Sequence, residues 1–220
     1  MHIIEGFLPP VWAVVWTAVA LPVVAYGARR TVTVVRTDAR TKALVAVAAA
    51  FVFVLSALKL PSVAGSSAHP TGTGVLVVLF GPAITAFVSA IVLLYQAVLL
   101  AHGGLSTLGA NVIAMGVVGP VVGWVAYRLA RSRLSIQQAT FVAATVTDWV
   151  TYLVTSLQLG LAFPAGNDPG GVLTASLNFA GIFSLTQLPI GVLEGALAAA
   201  MVGYLLRLET DTERRLGVPS

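Results

Sequence analysis

The 220-residue sequence predicts an all-α fold. It reads as a polytopic membrane protein, a single integral domain over residues 1–220 with about seven transmembrane helices. Three observations lead there. Apolar residues make up 58% of the chain and charged residues only 9%, against roughly 25% charged in soluble domains. Apolar runs recur at lengths able to span about 30 Å of hydrocarbon. The basic residues gather in three short connectors, the pattern that sets membrane orientation. There is no cysteine, which excludes disulfides, haem thiolates and Cys-type zinc sites. A net charge of +4 spread over such connectors is no signal for nucleic acid.

The first span is expected over about Val11 to Ala28, with Pro9 and Pro10 where proline is tolerated at a helix start. A connector with Arg29, Arg30, Arg36, Arg40 and Lys42 follows, then a span over about Ala43 to Leu58. Residues 59–74 are rich in Pro, Gly and Ser and read as a loop. Apolar stretches cover Val75 to Ala101, interrupted by Gly81-Pro82, and Leu108 to Tyr127. After Arg128, Arg131 and Arg133 comes a span over about Gln137 to Leu159. A second loop covers Pro164 to Gly171. The last apolar region, Val172 to Leu206, ends in Arg207, Arg214 and Arg215.

The parity of crossings refines this. Basic connectors belong in the cytoplasm, so the N-terminus and the loop around His69 lie outside and the C-terminus inside. An odd number of crossings must join His69 to Arg128. Three fit if the chain turns near Gly81-Pro82, the first being short, roughly Gly72 to Phe80. The final region is longer than one span, so part of Val172 to Phe183 is expected as an external half-helix or along the surface. Small-xxx-small pairs at Ala46–Ala50, Gly191–Gly195 and Ala196–Ala200 would permit close helix contacts.

The chain opens Met1-His2-Ile3-Ile4-Glu5-Gly6, with no basic segment of the kind that begins a removable signal peptide. The Met1 amine, the His2 amide nitrogen and its imidazole Nδ1 can form two fused chelate rings. Ni²⁺ and Cu²⁺ readily take such planar nitrogen sets, and Co²⁺ competes more weakly. His69, on the same side by the parity argument, can supply a fourth nitrogen. Ser66, Ser67 and Thr71 are candidate supports for the ligands, and Glu5 could fix an imidazole or close the N-terminal strand. The plain alternatives are a disordered terminus and an ordinary loop histidine.

His102 reads as a membrane-edge residue near the cytoplasmic side. Asn111 and Gln158 read as interhelical hydrogen bonds. Asp148 and Glu194 are costly inside apolar segments. Gln96, Gln187, Thr145, Thr147, Thr151 and Thr186 are candidate partners for them in structural networks.

The stretches MHIIEGFLPP at 1–10, SALKLPSVAGSSAHPTGTG at 56–74 and IVLLYQAVLLAHGGLSTLGAN at 91–111 carry a resemblance, as do TSLQLGLAFP at 155–164 and TQLPIGVLEG at 186–195. Over nearly its whole length the chain resembles the CbiM/NikM group, the membrane-embedded substrate-binding component of cobalt and nickel energy-coupling-factor transporters. The resemblance implies seven transmembrane helices with the N-terminus outside, in the cell membrane. It implies a near-planar site on the Met1 amine, the His2 amide nitrogen and imidazole, and the His69 imidazole, capped by the loop after the second helix. It also implies partners in the bilayer: a transmembrane coupling protein, cytoplasmic ATP-binding-cassette ATPases and a small accessory membrane subunit. No cofactor is implied; the metal is cargo.

The sequence has no phosphate-binding loop of the G-x-x-x-x-G-K-[S/T] type, so its chemistry is expected to be binding. Capture of Co²⁺ is the leading reading, with MHI-x-EGF at the start resembling cobalt members, and the same role for Ni²⁺ is the alternative. The rival class is a polytopic membrane enzyme built on Glu194, Asp148 and His102. It lacks an H-E-x-x-H pair, and its histidine is expected at the wrong end of the bundle.

Overall fold

The computed structural model describes residues 1–37, 39–61, 65–166 and 170–216, with side chains through residue 208 except that of residue 61. The loop residues 62–64 and 167–169, and the side chains of Arg214 and Arg215, lie outside that set. The chain is nearly all helical: α1 (Pro10–Thr37), α2 (Ala39–Ala57), α3 (Thr73–Leu100), α4 (Leu108–Asn111), a π-helical stretch (Val112–Val118), α5 (Gly119–Ala130), α6 (Ile136–Ala162) and α7 (Gly171–Leu216). Three short strands, β1 (His2–Ile3), β2 (Leu60–Pro61) and β3 (Ser66–Ala68), form an antiparallel sheet in the order β1-β3-β2.

Five helical segments are long and apolar enough to cross a membrane among the described residues: α1, α2, α3, residues 108–130 and the first 38 residues of α7. Length alone would qualify α6, but its Thr, Gln and Asp residues lower its hydropathy. Those residues face inward. Thr140, Thr145, Thr147, Asp148, Thr151, Thr155, Ser156 and Gln158 are all buried, as a hydrocarbon solvent requires of polar groups. In α1 only Ala20, Gly27 and Thr31 are buried, and Val11, Val14 and Leu21 are more than 60% exposed. That apolar outer surface suits lipid. Beyond the expected end at Ala28, α1 continues through Arg29 and Arg30 to Thr37; arginine is a good helix former, and a basic connector need not be a loop.

The break in α3 falls at Gly81, where the sequence places a turn. Gly81 adopts φ 78°, ψ 171°, followed by Pro82. That conformation is open to glycine alone, and proline removes the next donor. A straight helix of this length would separate its ends by about 40 Å. Instead the imidazoles of His69 and His102, just beyond its two ends, lie 4.9 Å apart. The chain therefore runs in over 73–80, reverses, and returns over 82–100. On the return, Gln96 donates to Phe53 O at 3.0 Å and Ser56 Oγ at 2.8 Å. It thus ties α3 to α2 and is not a partner for either carboxylate.

Antiparallel α6 and α7 form the largest interface. Trp149 and Asp148 press on Gly191, and Thr145 on Gly195, so closely that a Cβ at either glycine would collide. The Gly191–Gly195 pair is thus an internal contact, whereas Ala46, Ala50, Ala196 and Ala200 face outward. The last apolar region is corrected. Residues 172–183 are the start of one continuous α7, with Ser176 against Gly160 and Phe183 fully buried. A 46-residue helix can pack on α6 and still extend past the bundle, so no separate half-helix is needed.

Candidate metal centre

β1 brings the first residues into the protein. It pairs with β3 so that His2 faces Ser67 and Ile3 faces Ser66. Asn111 clasps Ile3 from the other side, its Oδ1 accepting from Ile3 N at 2.8 Å and its Nδ2 donating to Ile3 O at 3.0 Å. Thr107 Oγ1 donates to the same carbonyl at 2.8 Å. Ile4 N reaches Gly65 O, and Glu5 N reaches Gly103 O. Gly65 has φ 63°, and the ring of Phe7 occupies the space a Cβ would need. Gly104 is similarly filled by Glu5. The Glu5 carboxylate accepts from Ser106 N at 3.1 Å, and hydrogen bonds from Ser106 hold it below the usual carboxylate range. Glu5 therefore closes the strand and does not fix an imidazole.

Met1, His2 and His69 are fully buried and come together. The His2 and His69 ring centroids are 4.2 Å apart. The Met1 side chain belongs to one buried apolar cluster with Ile3, Leu8, Ala110, Tyr152, Leu159 and Phe183. His102 joins them, 4.5 Å from the His2 ring and 2% exposed. This corrects its expected place near the opposite end. The reversal at Gly81 returns the chain to the end from which it started, carrying His102 back to His69. One nitrogen from each of His2, His69 and His102 lies within 4.8 Å of the others.

The cluster presents several open ring nitrogens. His69 Nδ1 lies 2.8 Å from Pro70 O; it must donate there, which leaves Nε2 with a free lone pair. His102 Nε2 lies 3.0 Å from Ser67 Oγ. Both ring nitrogens of His2, Nε2 of His69 and Nδ1 of His102 have no hydrogen-bond partner among the described residues. Burial, then the neighbouring positive groups, pushes His2 well below the usual imidazole range, and His69 likewise. Burial brings His102 down to about 4. The Met1 amine is lowered to about 6 by burial, against the pull of the Asp148 and Glu194 charges. At neutral pH the cluster holds unprotonated nitrogens.

Ser67 and Thr71 support the cluster in different ways. Ser67 meets His102 directly. Thr71 instead reaches Glu194, its N and Oγ1 donating to the carboxylate at 2.5 and 2.7 Å, while Gly72 N adds a third bond at 2.9 Å. None of the side chains expected to satisfy the two carboxylates is what binds Glu194; the loop after β3 does so. Neither oxygen of Asp148 has a hydrogen-bond partner among the described residues. Thr151 and Thr186 donate to backbone carbonyls. Gln158 bridges helices to Ala110 O as expected, whereas Asn111 serves β1.

The sequence matches the family described as "Cobalt uptake substrate-specific transmembrane region" (CbiM) over residues 2–212. It is 64% identical to the "Putative cobalt transport protein CbiM" of Haloquadratum walsbyi over 99% of each chain. It is 50% identical to the "Cobalt transport protein CbiM" of Salmonella typhimurium, covering 96% of this chain and 86% of that one. Two crystal structures of transition metal transporters share its fold. One, a truncated form, has TM-score 0.80 and 28% identity over 94% of this chain and 99% of the other. The second has TM-score 0.82 and 27% identity over 98% and 99%. With a family match over almost its full length and a relative of this identity, the chain belongs to the CbiM cobalt uptake family.

Proposed function

We propose that this protein captures Co²⁺ as cargo, acting as the substrate-specific subunit of an energy-coupling-factor importer. Its proposed ligands are the Met1 amine, the His2 amide nitrogen and imidazole, and the His69 imidazole. One observation supports this most: three imidazoles share a buried cluster next to the buried Met1, and their ring nitrogens have few partners among the described residues. Unpaired buried nitrogens are costly, and a divalent cation relieves that cost. His102 is a further donor within reach of the same ion. ATP hydrolysis belongs to partner ATPases joined through a membrane coupling protein, with a small accessory subunit alongside.

Ni²⁺ is the second reading, because an all-nitrogen set binds it more tightly than Co²⁺ on intrinsic grounds. The enzyme reading is disfavoured by Glu194, whose oxygens are occupied by three donors.

The test is a competitive Co²⁺ and Ni²⁺ titration of purified protein with a free Met1 amine, followed by optical spectroscopy. Acetylating the amine, or inserting one residue before His2, is expected to weaken binding at least 100-fold with the fold intact. Full affinity after either change refutes the amine-ligand site.

A further inference from the structure

The centre is built from neutral groups. A divalent ion seated there, even with one ionised amide, leaves at least one positive charge in a low-dielectric interior. Such a charge is costly without a compensating one nearby. Three carboxylates come into question. Glu5 is exposed and bound to Ser106. Glu194 spends its charge on Thr71 and Gly72. Asp148 is different: it is 1% exposed, yet neither oxygen is engaged by a described residue.

The surroundings of Asp148 point toward the centre. Tyr152 lies one turn along α6 and packs in the same buried cluster as Met1. Across the seam, a Cβ at Gly191 would lie only 3.0 Å from Asp148 Oδ2, so glycine there lets α7 close over the carboxylate. The neighbouring indole is occupied elsewhere, Trp149 Nε1 donating to Leu188 O at 3.2 Å. One turn before Gly191 on α7, Gln187 is fully buried with neither amide atom partnered among the described residues.

We propose that Asp148 is the counter-charge of the metal centre, a positioning residue that neutralises the bound divalent ion through space without ligating it. The carboxylate is left unsatisfied locally because the ion is its partner. This rests on the metal-binding reading above and adds a residue to it from the α6/α7 seam.

The experiment is Co²⁺ titration of the full chain in nanodiscs, with the thermal midpoint of the metal-free protein measured alongside. Asp148→Asn keeps the shape and removes the charge. Its Co²⁺ affinity is expected to fall at least tenfold while the metal-free midpoint holds or rises. Asp148→Asn combined with Gln187→Glu, which moves a carboxylate to the facing helix, is expected to restore affinity to within about threefold. Affinity within twofold of wild type in Asp148→Asn overturns the proposal. So does a loss of affinity that comes with a lower metal-free midpoint and no rescue in the double variant. Should Asp148→Asn fail to fold, Gln187→Glu alone decides. Tightening of at least threefold supports the counter-charge, and unchanged or weaker binding overturns it. Wild-type protein that binds no Co²⁺ defeats the metal-binding reading itself, and binding that is unchanged by amine acetylation defeats the amine-ligand site on which that reading rests. Affinity lost only on acetylation defeats the counter-charge alone.

Discussion

Glu194 and Asp148 face the same α6/α7 seam, yet they sit in opposite kinds of seat. Glu194 is held by two backbone N–H groups and a hydroxyl, all from the loop that follows His69. Asp148 is buried as deeply and held by none of the described residues. The first seat is a structural clamp: the carboxylate fixes the loop and the loop satisfies the carboxylate. The second is incomplete on its own. Burial alone therefore does not assign a role to an intramembrane acid; its local donors do.

Four changes test this contrast. Glu194→Ala is expected to have the largest effect. It leaves three buried donors without an acceptor and should cost about 3–5 kcal/mol, read as a lower thermal midpoint of the metal-free protein. A smaller loss, about 1–2 kcal/mol, is expected for Thr71→Val, which removes the hydroxyl and keeps both backbone bonds. The third change concerns protons. The Met1 amine sits at about 6, so Co²⁺ binding should hold above that pH and weaken as pH falls through it, by about 1.4 kcal/mol per unit where one proton competes. The Asp148 charge raises the amine's proton affinity, so Asp148→Asn should move this onset to lower pH, and Glu194→Gln should move it less. Equal displacement by the two variants would remove the distinction between the seats. The smallest effect is expected for Gln187→Leu. It replaces an unpartnered buried amide by an apolar group of similar size and should leave the metal-free midpoint unchanged or slightly raised.

Much of the architecture was legible in the sequence, for reasons that can be named. Gly81-Pro82 combines the residue that permits a positive φ with the one that lacks a donor, so the reversal could be placed. That His2 and His69 lie at one end was legible because the parity of crossings puts the N-terminus and the loop around residue 69 on the same side. His102 was misplaced although the reversal implies its position: a chain that enters and returns between residues 73 and 100 ends on the side where it began. Asn111 looked like a bridge between helices because nothing local shows that an N-terminal strand lies beside it. The donors to Glu194 were missed for a related reason. Two of the three are backbone N–H groups of residues 71 and 72, which a side-chain inventory does not contain, and the third, the Thr71 hydroxyl, lies far from Glu194 in the sequence.

The clamp at Glu194 also bears on biosynthesis. Residues 2, 69 and 102 exist as soon as the first half of the chain has been made, and the imidazoles could then meet. The backbone just after His69, at Thr71 and Gly72, is fastened to residue 194, made near the end of translation. Until α7 inserts, the loop lacks its anchor and the nascent protein holds its cluster loosely. On the proposed reading, a firm grip on the ion would arise late, after the last helix has been threaded. On the same reading, an abandoned or truncated chain that stops before residue 194 would be a poor scavenger of the metal.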